Sequence, residues 1–168
     1  MTMSKIGLVL EGGGMKCAYT AGILDAMMDN GVTFDYCIGV SAGSANGVSF
    51  VAGQRGRNIR FYTEHINEKG YFGLSSFLKT GNLFGLQYIY GTLTNSGGAD
   101  PLDFDAFMKS PMEYWLVATD AQTGKPTYFS KKDMHKDDYR HVMASCAIPA
   151  VCRPVEINGR FYYDGGVS

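Results

Sequence analysis

The stretch Ile38-Gly39-Val40-Ser41-Ala42-Gly43-Ser44 sets a serine between glycines two positions before and two positions after it. An apolar run, Tyr36 to Val40, leads into the serine, and small residues suited to a helix follow. A serine in a tight strand-to-helix turn takes strained backbone angles, and side chains at i−2 and i+2 would collide. Such a turn presents a hydroxyl at the amino end of a helix, where N–H groups and the helix dipole favour a developing negative charge. Ser41 is therefore a candidate nucleophile. A glycine-rich turn with an incidental serine would leave the same pentapeptide.

A free hydroxyl is a weak nucleophile and needs a base. The chain has three histidines, His65, His135 and His141. None sits among small residues in a strand-end loop, and none follows Asp164, as the Ser–acid–His order of an α/β-hydrolase requires. All three are expected to be solvated or packed. Asp164 ends an apolar stretch and is followed by Gly165-Gly166, which leaves space for another segment or a substrate. A carboxylate can act as base directly if it lies within about 2.6–3.2 Å of the hydroxyl, and burial would have to raise its proton affinity. The plain alternative is a solvated Asp-Gly-Gly turn. Asp120 competes, but it enters the turn at Gln122-Thr123-Gly124 and is better placed to cap it.

The triple glycine Gly12-Gly13-Gly14 admits three chemistries. A dinucleotide fingerprint would need G-x-G-x-x-G, and its last position here is Cys17, with no acidic residue closing a second strand. A P-loop needs G-x-x-x-x-G-K-[ST], which is absent. A nest of backbone N–H groups that binds an oxyanion needs only glycines after a strand of the sheet that holds the serine. That condition is met.

The elements that must position these residues alternate. Ile6 to Leu10 reads as a strand, Cys17 to Asn30 as a helix with Ala18, Ala21, Leu24, Ala26 and Met28 on one face, Tyr36 to Val40 as a strand and Ala42 to Ala52 as a helix. This is the pattern of a parallel α/β sheet. Arg57 to Ile66 and Pro101 to Met108 are helical candidates. Glu113 to Thr119 is the best third strand, and Pro126 to Ser130 returns from it as a hairpin. Tyr139 to Ala147 reads as a helix stopped before Pro149. Val155 to Ile157 and Arg160 to Tyr163 flank Asn158-Gly159, a strong hairpin turn. Between residues 71 and 90 aromatics interleave with glycines without a clean period. The stretch either packs on its own domain or forms an apolar lid or wall for acyl chains.

With 168 residues, 45% hydrophobic and 18% charged, the chain fits one globular domain spanning 1–168. A net charge of −1 and the lack of a Lys/Arg run argue against a nucleic-acid surface. The four cysteines, Cys17, Cys37, Cys146 and Cys152, have no metal-knuckle spacing and read as buried free thiols of a reducing compartment. Met1 to Leu10 is too short for a signal h-region, and no stretch reaches the roughly 20 apolar residues that span a bilayer. A soluble, cytoplasmic protein is expected.

Taken together, Glu11-Gly12-Gly13-Gly14-Met15-Lys16, Gly39-Val40-Ser41-Ala42-Gly43 and Asp164-Gly165-Gly166 resemble the patatin-like phospholipase family, particularly its bacterial members. Ala118-Thr119-Asp120, Gly124-Lys125-Pro126 and Ala144 to Pro149 look like it as well. The resemblance implies a three-layer α/β/α fold with a mainly parallel central sheet, similar to that of malonyl transacylases. It also implies a Ser–Asp dyad that hydrolyses phospholipid or lysophospholipid acyl esters without cofactor or metal. Ser41 would be the nucleophile, Asp164 the base, and the N–H groups of Gly12, Gly13 and Gly14 the oxyanion hole. Acyl transfer on the same fold, or an inactive lipid-binding module, would be the alternatives. Two departures stand out. Cys17 replaces a family glycine, and the chain stops at Val167-Ser168. The second implies a truncated domain, with apolar sheet surface uncovered and the Asp164 loop poorly anchored.

Overall fold

A computed structural model describes residues 5–168; residues 1–4 of the Met1–Leu10 stretch lie outside the described residues. The strands are β1 (Gly7–Leu10), β2 (Tyr36–Val40), β3 (Glu113–Asp120), β4 (Pro126–Ser130), β5 (Val155–Ile157) and β6 (Arg160–Asp164). The helices are α1 (Cys17–Asp29), α2 (Ala42–Val51), α3 (Arg57–Thr63), α4 (Leu74–Thr80), α5 (Leu86–Tyr88), α6 (Phe104–Lys109) and α7 (Arg140–Ser145). A short π-helical turn, Ile89–Leu93, continues α5.

The six-stranded sheet runs β1-β2-β3-β6-β5, with β4 also paired to β3. β1, β2 and β3 are parallel, joined by helical crossovers. β4 and β6 run antiparallel to β3, and β5 antiparallel to β6, because tight turns join β3 to β4 and β5 to β6. Side-chain alternation gives the sheet two faces of different character. Leu10, Cys37, Tyr114 and Leu116 point into the helical side and form its core with Leu24, Val48 and Phe107. The opposite face carries Val9, Ile38 and Trp115 in register, and it is open: Val9 is 73% exposed and Tyr128 56%.

The stripe on α1 differs in detail from expectation. Cys17, Ala21, Leu24 and Asp25 are the buried residues, and Ala26 is exposed. Asp25 goes inward because its carboxylate accepts the Gly56 N–H at 3.0 Å. All four cysteines are free and buried. No described helix is long and apolar enough to cross a membrane.

Candidate active site

The register of β3 explains how two residues far apart in sequence meet. Val117 pairs with both Val40 and Tyr128, so β2 and β4 lie on opposite edges of β3. Ala118 pairs with both Thr127 and Asp164, so β6 lies opposite β4, on the edge that β2 occupies. β2 runs up that edge and stops at Val117, while β6 runs down it and stops at Ala118. Ser41 follows the end of one strand and Asp164 is the end of the other. They meet head on.

Ser41 has φ 53° and ψ −131°, a conformation that costs a non-glycine residue about 1–3 kcal/mol. Its surroundings hold it there. The Ser41 N–H donates to Ser145 Oγ at 3.0 Å, and Ser145 Oγ donates to the Val117 carbonyl at 2.7 Å. Ser44 Oγ donates to the Ser41 carbonyl at 2.7 Å. The flanking glycines are sterically required, as expected: a Cβ on Gly39 would lie 2.5 Å from Ser44 Cα, and one on Gly43 2.3 Å from the Leu10 carbonyl oxygen. Gly43 and Gly47 thus let α2 press on the sheet, while Ala42 and Ala45 face a cavity on its other side.

The glycine loop crosses directly above the serine. A Cβ on Gly12 would meet Ser41 Cβ at 2.9 Å and stand 3.6 Å from its Oγ. Gly14 takes φ 53°. Among the described residues the N–H groups of Gly12 and Gly13 have no hydrogen-bond partner. Cys17, the departure from the family pattern, is buried beneath the loop, its thiol donating to the Glu11 carbonyl at 3.6 Å.

Asp164 is buried and firmly tied, contrary to the expectation of a poorly anchored loop. Its N–H donates to the Ala147 carbonyl at 2.9 Å, and its carbonyl accepts Thr119 Oγ1 at 2.8 Å. Oδ1 accepts the Gly166 N–H at 2.8 Å. Oδ2 is buried without a partner. Burial raises the carboxyl's pKa above its usual 3.8; the nearby Ser41 hydroxyl and the Gly166 N–H oppose this. No hydrogen bond joins the Ser41 hydroxyl to Oδ2, which is left open to it.

The histidines and Asp120 take the roles expected of them. His65 is wedged between Asp100 and Glu68, His141 packs on the Phe129 ring, and His135 is exposed. None lines the cavity at Ser41. Asp120 Oδ1 accepts the N–H groups of Gln122 and Thr123, capping the hairpin. Ser145 and Thr119, which bind the backbone of the two central residues, were visible in the sequence only as parts of family-like motifs.

The cavity runs from Ser41 and Gly14 along α2. Tyr71, Phe84, Leu86, Ile89 and Tyr90 wall it, so the stretch between residues 71 and 90 packs on its own domain and encloses this space as well.

A family model described as "Patatin-like phospholipase" matches residues 8–168. YjjU of Escherichia coli (strain K12) is 30% identical over 169 residues, covering 98% of this chain and 46% of that protein. Lysophospholipase NTE1 of Yarrowia lipolytica is 28% identical over 163 residues, covering 96% of this chain and 11% of that protein. VipD from Legionella pneumophila shares the fold at a TM-score of 0.62 and 12% identity, over 97% of this chain and 46% of its own. The chain therefore spans less than half the length of these relatives. Its architecture is the three-layer α/β/α patatin type, with Ser41 on the helical layer packed against the sheet. With the family model covering nearly all of it, the chain belongs to the patatin-like phospholipase family.

Proposed function

We propose that this protein is a serine hydrolase of lipid acyl esters that works through Ser41 and Asp164. The observation that carries the proposal is the head-on meeting of β2 and β6, which sets a strained serine beside a buried carboxylate with an unpaired oxygen. Ser41 Oγ attacks the ester carbonyl carbon as its proton passes to Asp164, whose raised pKa suits it to accept one. Charge builds on the carbonyl oxygen, and the N–H groups of Gly12, Gly13 and Gly14 face it. Collapse expels the alcohol, which takes the proton back from Asp164 and leaves an acyl-serine. Water, deprotonated by Asp164, then releases the fatty acid.

The substrates would be phospholipid or lysophospholipid esters, consistent with a relative named lysophospholipase. Exposed Phe72, Phe77 and Leu78 beside the cavity wall would give the 71–90 stretch transient contact with a lipid surface. Four buried free thiols suit a reducing, cytoplasmic setting. A fluorophosphonate probe tests the core of the proposal. It should label wild type at Ser41 and leave Ser41→Ala unlabelled, with ester hydrolysis lost in the same variant. Labelling elsewhere, or undiminished hydrolysis by Ser41→Ala, would refute it.

A further inference from the structure

The cavity has a reactive end and a charged end, and helix geometry sets the distance between them. Ser41 and Ser49 lie eight residues apart along α2, a rise of about 12 Å. At the far end the Arg57 guanidinium donates to Ser49 Oγ at 2.8 Å, to Thr94 Oγ1 at 3.0 Å and to the Asp100 carbonyl at 2.9 Å. Its Nε faces Asp100 Oδ1 at 3.5 Å. Asp100 is itself gripped by Arg60 through two bonds of 2.6 and 2.8 Å. Arg57 and Asp100 are both almost fully buried, so this end is a rigid polar stopper.

Between the two ends the lining is apolar in effect. Ala42 and Ala45 form the floor, with Leu86, Ile89 and Val142 among the walls. Three of the polar side chains that touch the cavity are tied to one another or to backbone. Tyr62 OH donates to Asn46 Oδ1 at 3.1 Å, Asn46 Nδ2 donates to the Cys17 carbonyl at 3.0 Å, and Asn58 Nδ2 donates to the Asn46 carbonyl at 2.9 Å.

We propose that this space is an acyl-chain site of fixed depth, closed by the Arg57–Asp100 pair, which sets the upper length of chain accepted whole. The proposal rests on the hydrolase reading of Ser41. A straight chain with carbon–carbon bonds near 1.5 Å advances about 1.3 Å per carbon, so about 12 Å holds roughly eight to ten carbons. A longer tail would have to push the guanidinium out of its bonds and strand a buried charge, which is unfavourable. Such a tail stays outside the cavity. Medium-chain acyl esters are the substrate class that fills the site.

The test is a series of p-nitrophenyl esters from acetate to palmitate, each below its micelle-forming concentration, with the full chain as enzyme. The expected kcat/KM climbs about tenfold or more from acetate to octanoate and stops climbing beyond decanoate. Ala45→Leu, which thrusts a side chain into the middle of the cavity, should cut the octanoate-to-acetate ratio at least about fivefold. A rise continuing through palmitate, or an unchanged ratio in a variant with a normal thermal melt, would overturn the proposal. If Ala45→Leu does not fold, the wild-type profile decides alone. Failure of the hydrolase reading looks different: no ester in the series would be turned over faster by wild type than by Ser41→Ala.

Discussion

The two central residues of the site are held in opposite ways. Ser41 carries its strain in the backbone, at positive φ, while every polar group around that backbone is paired. Asp164 has an ordinary extended backbone, φ −50° and ψ 133°, and carries its disadvantage in the side chain, as a buried oxygen with no partner. The first arrangement fixes where the hydroxyl points. The second leaves a carboxylate eager for a proton, which is what a base requires. A site of this kind needs one rigid member and one unsatisfied member.

Substitutions can break or sharpen this contrast. The largest effect belongs to the pair itself: Ser41→Ala and Asp164→Asn should each reduce ester turnover about 10³-fold or more, measured as kcat/KM. Their stabilities should part company. Because the folded pKa of Asp164 is raised, its contribution to stability is full below the ordinary value of 3.8 and is lost as pH rises through the raised value. At neutral pH the buried charge is a burden, so Asp164→Asn should melt no lower than wild type, and its relative advantage should fade as the pH is lowered. A clear loss of Tm at pH 7 would show that the carboxylate is not frustrated. By the same shift, the acid limb of kcat/KM in wild type should lie above 3.8, with activity rising as Asp164 ionises.

Next comes Gly13→Pro, which deletes one N–H of the loop above Ser41 and, because proline fixes φ near about −65° where Gly13 holds 165°, also displaces that loop. Turnover should drop about 10²–10³-fold, with KM less affected. Gly43→Ala tests the rigid member. Its Cβ would lie 2.3 Å from the Leu10 carbonyl oxygen and 2.6 Å from that of Glu11, both backbone atoms, and the overpacking should cost about 1–3 kcal/mol in denaturant unfolding. Ser145→Ala removes the acceptor for the Ser41 N–H and the donor to Val117. A loss of about 1–3 kcal/mol is expected, with kcat lowered more than KM is raised as the serine turn relaxes. Gly166→Ala should be the mildest, below about 1 kcal/mol, since its Cβ would meet the Asp164 Oδ1 tip at 3.2 Å and otherwise only Val40 Cγ1 at an ordinary 3.9 Å. If Gly166→Ala proved as harmful as Gly43→Ala, the two halves of the site would be equally rigid.

Much of the molecule could be read before any coordinate. β2 and β4 fall on the predicted residues, and the glycine spacing around Ser41 has the steric cause assigned to it. These are short-range matters, decided by residues within a turn of one another. What stayed hidden is set by pairing over long separations. That β2 and β6 share one edge of β3 depends on register across more than a hundred residues, so the proximity of Ser41 and Asp164 could come only from the family likeness. The Arg57–Asp100 stopper joins residues 43 apart and has no local signature. Asp25 breaks the apolar stripe of α1 because its partner, the Gly56 N–H, lies beyond the next strand and helix. The stretch between 71 and 90 showed no period because positive-φ glycines at 73 and 81 cut it into short pieces around the cavity.

The open sheet face has a practical consequence on the side away from the chemistry. Val9, Ile38, Trp115 and Tyr128 form a continuous greasy panel, and each square ångström of it withdrawn from water returns about 25 cal/mol. Concentrated or high-salt solutions of this polypeptide should therefore scatter light through contacts on that panel. The resulting clusters should still react with serine-directed probes, because the Ser41 cavity opens elsewhere.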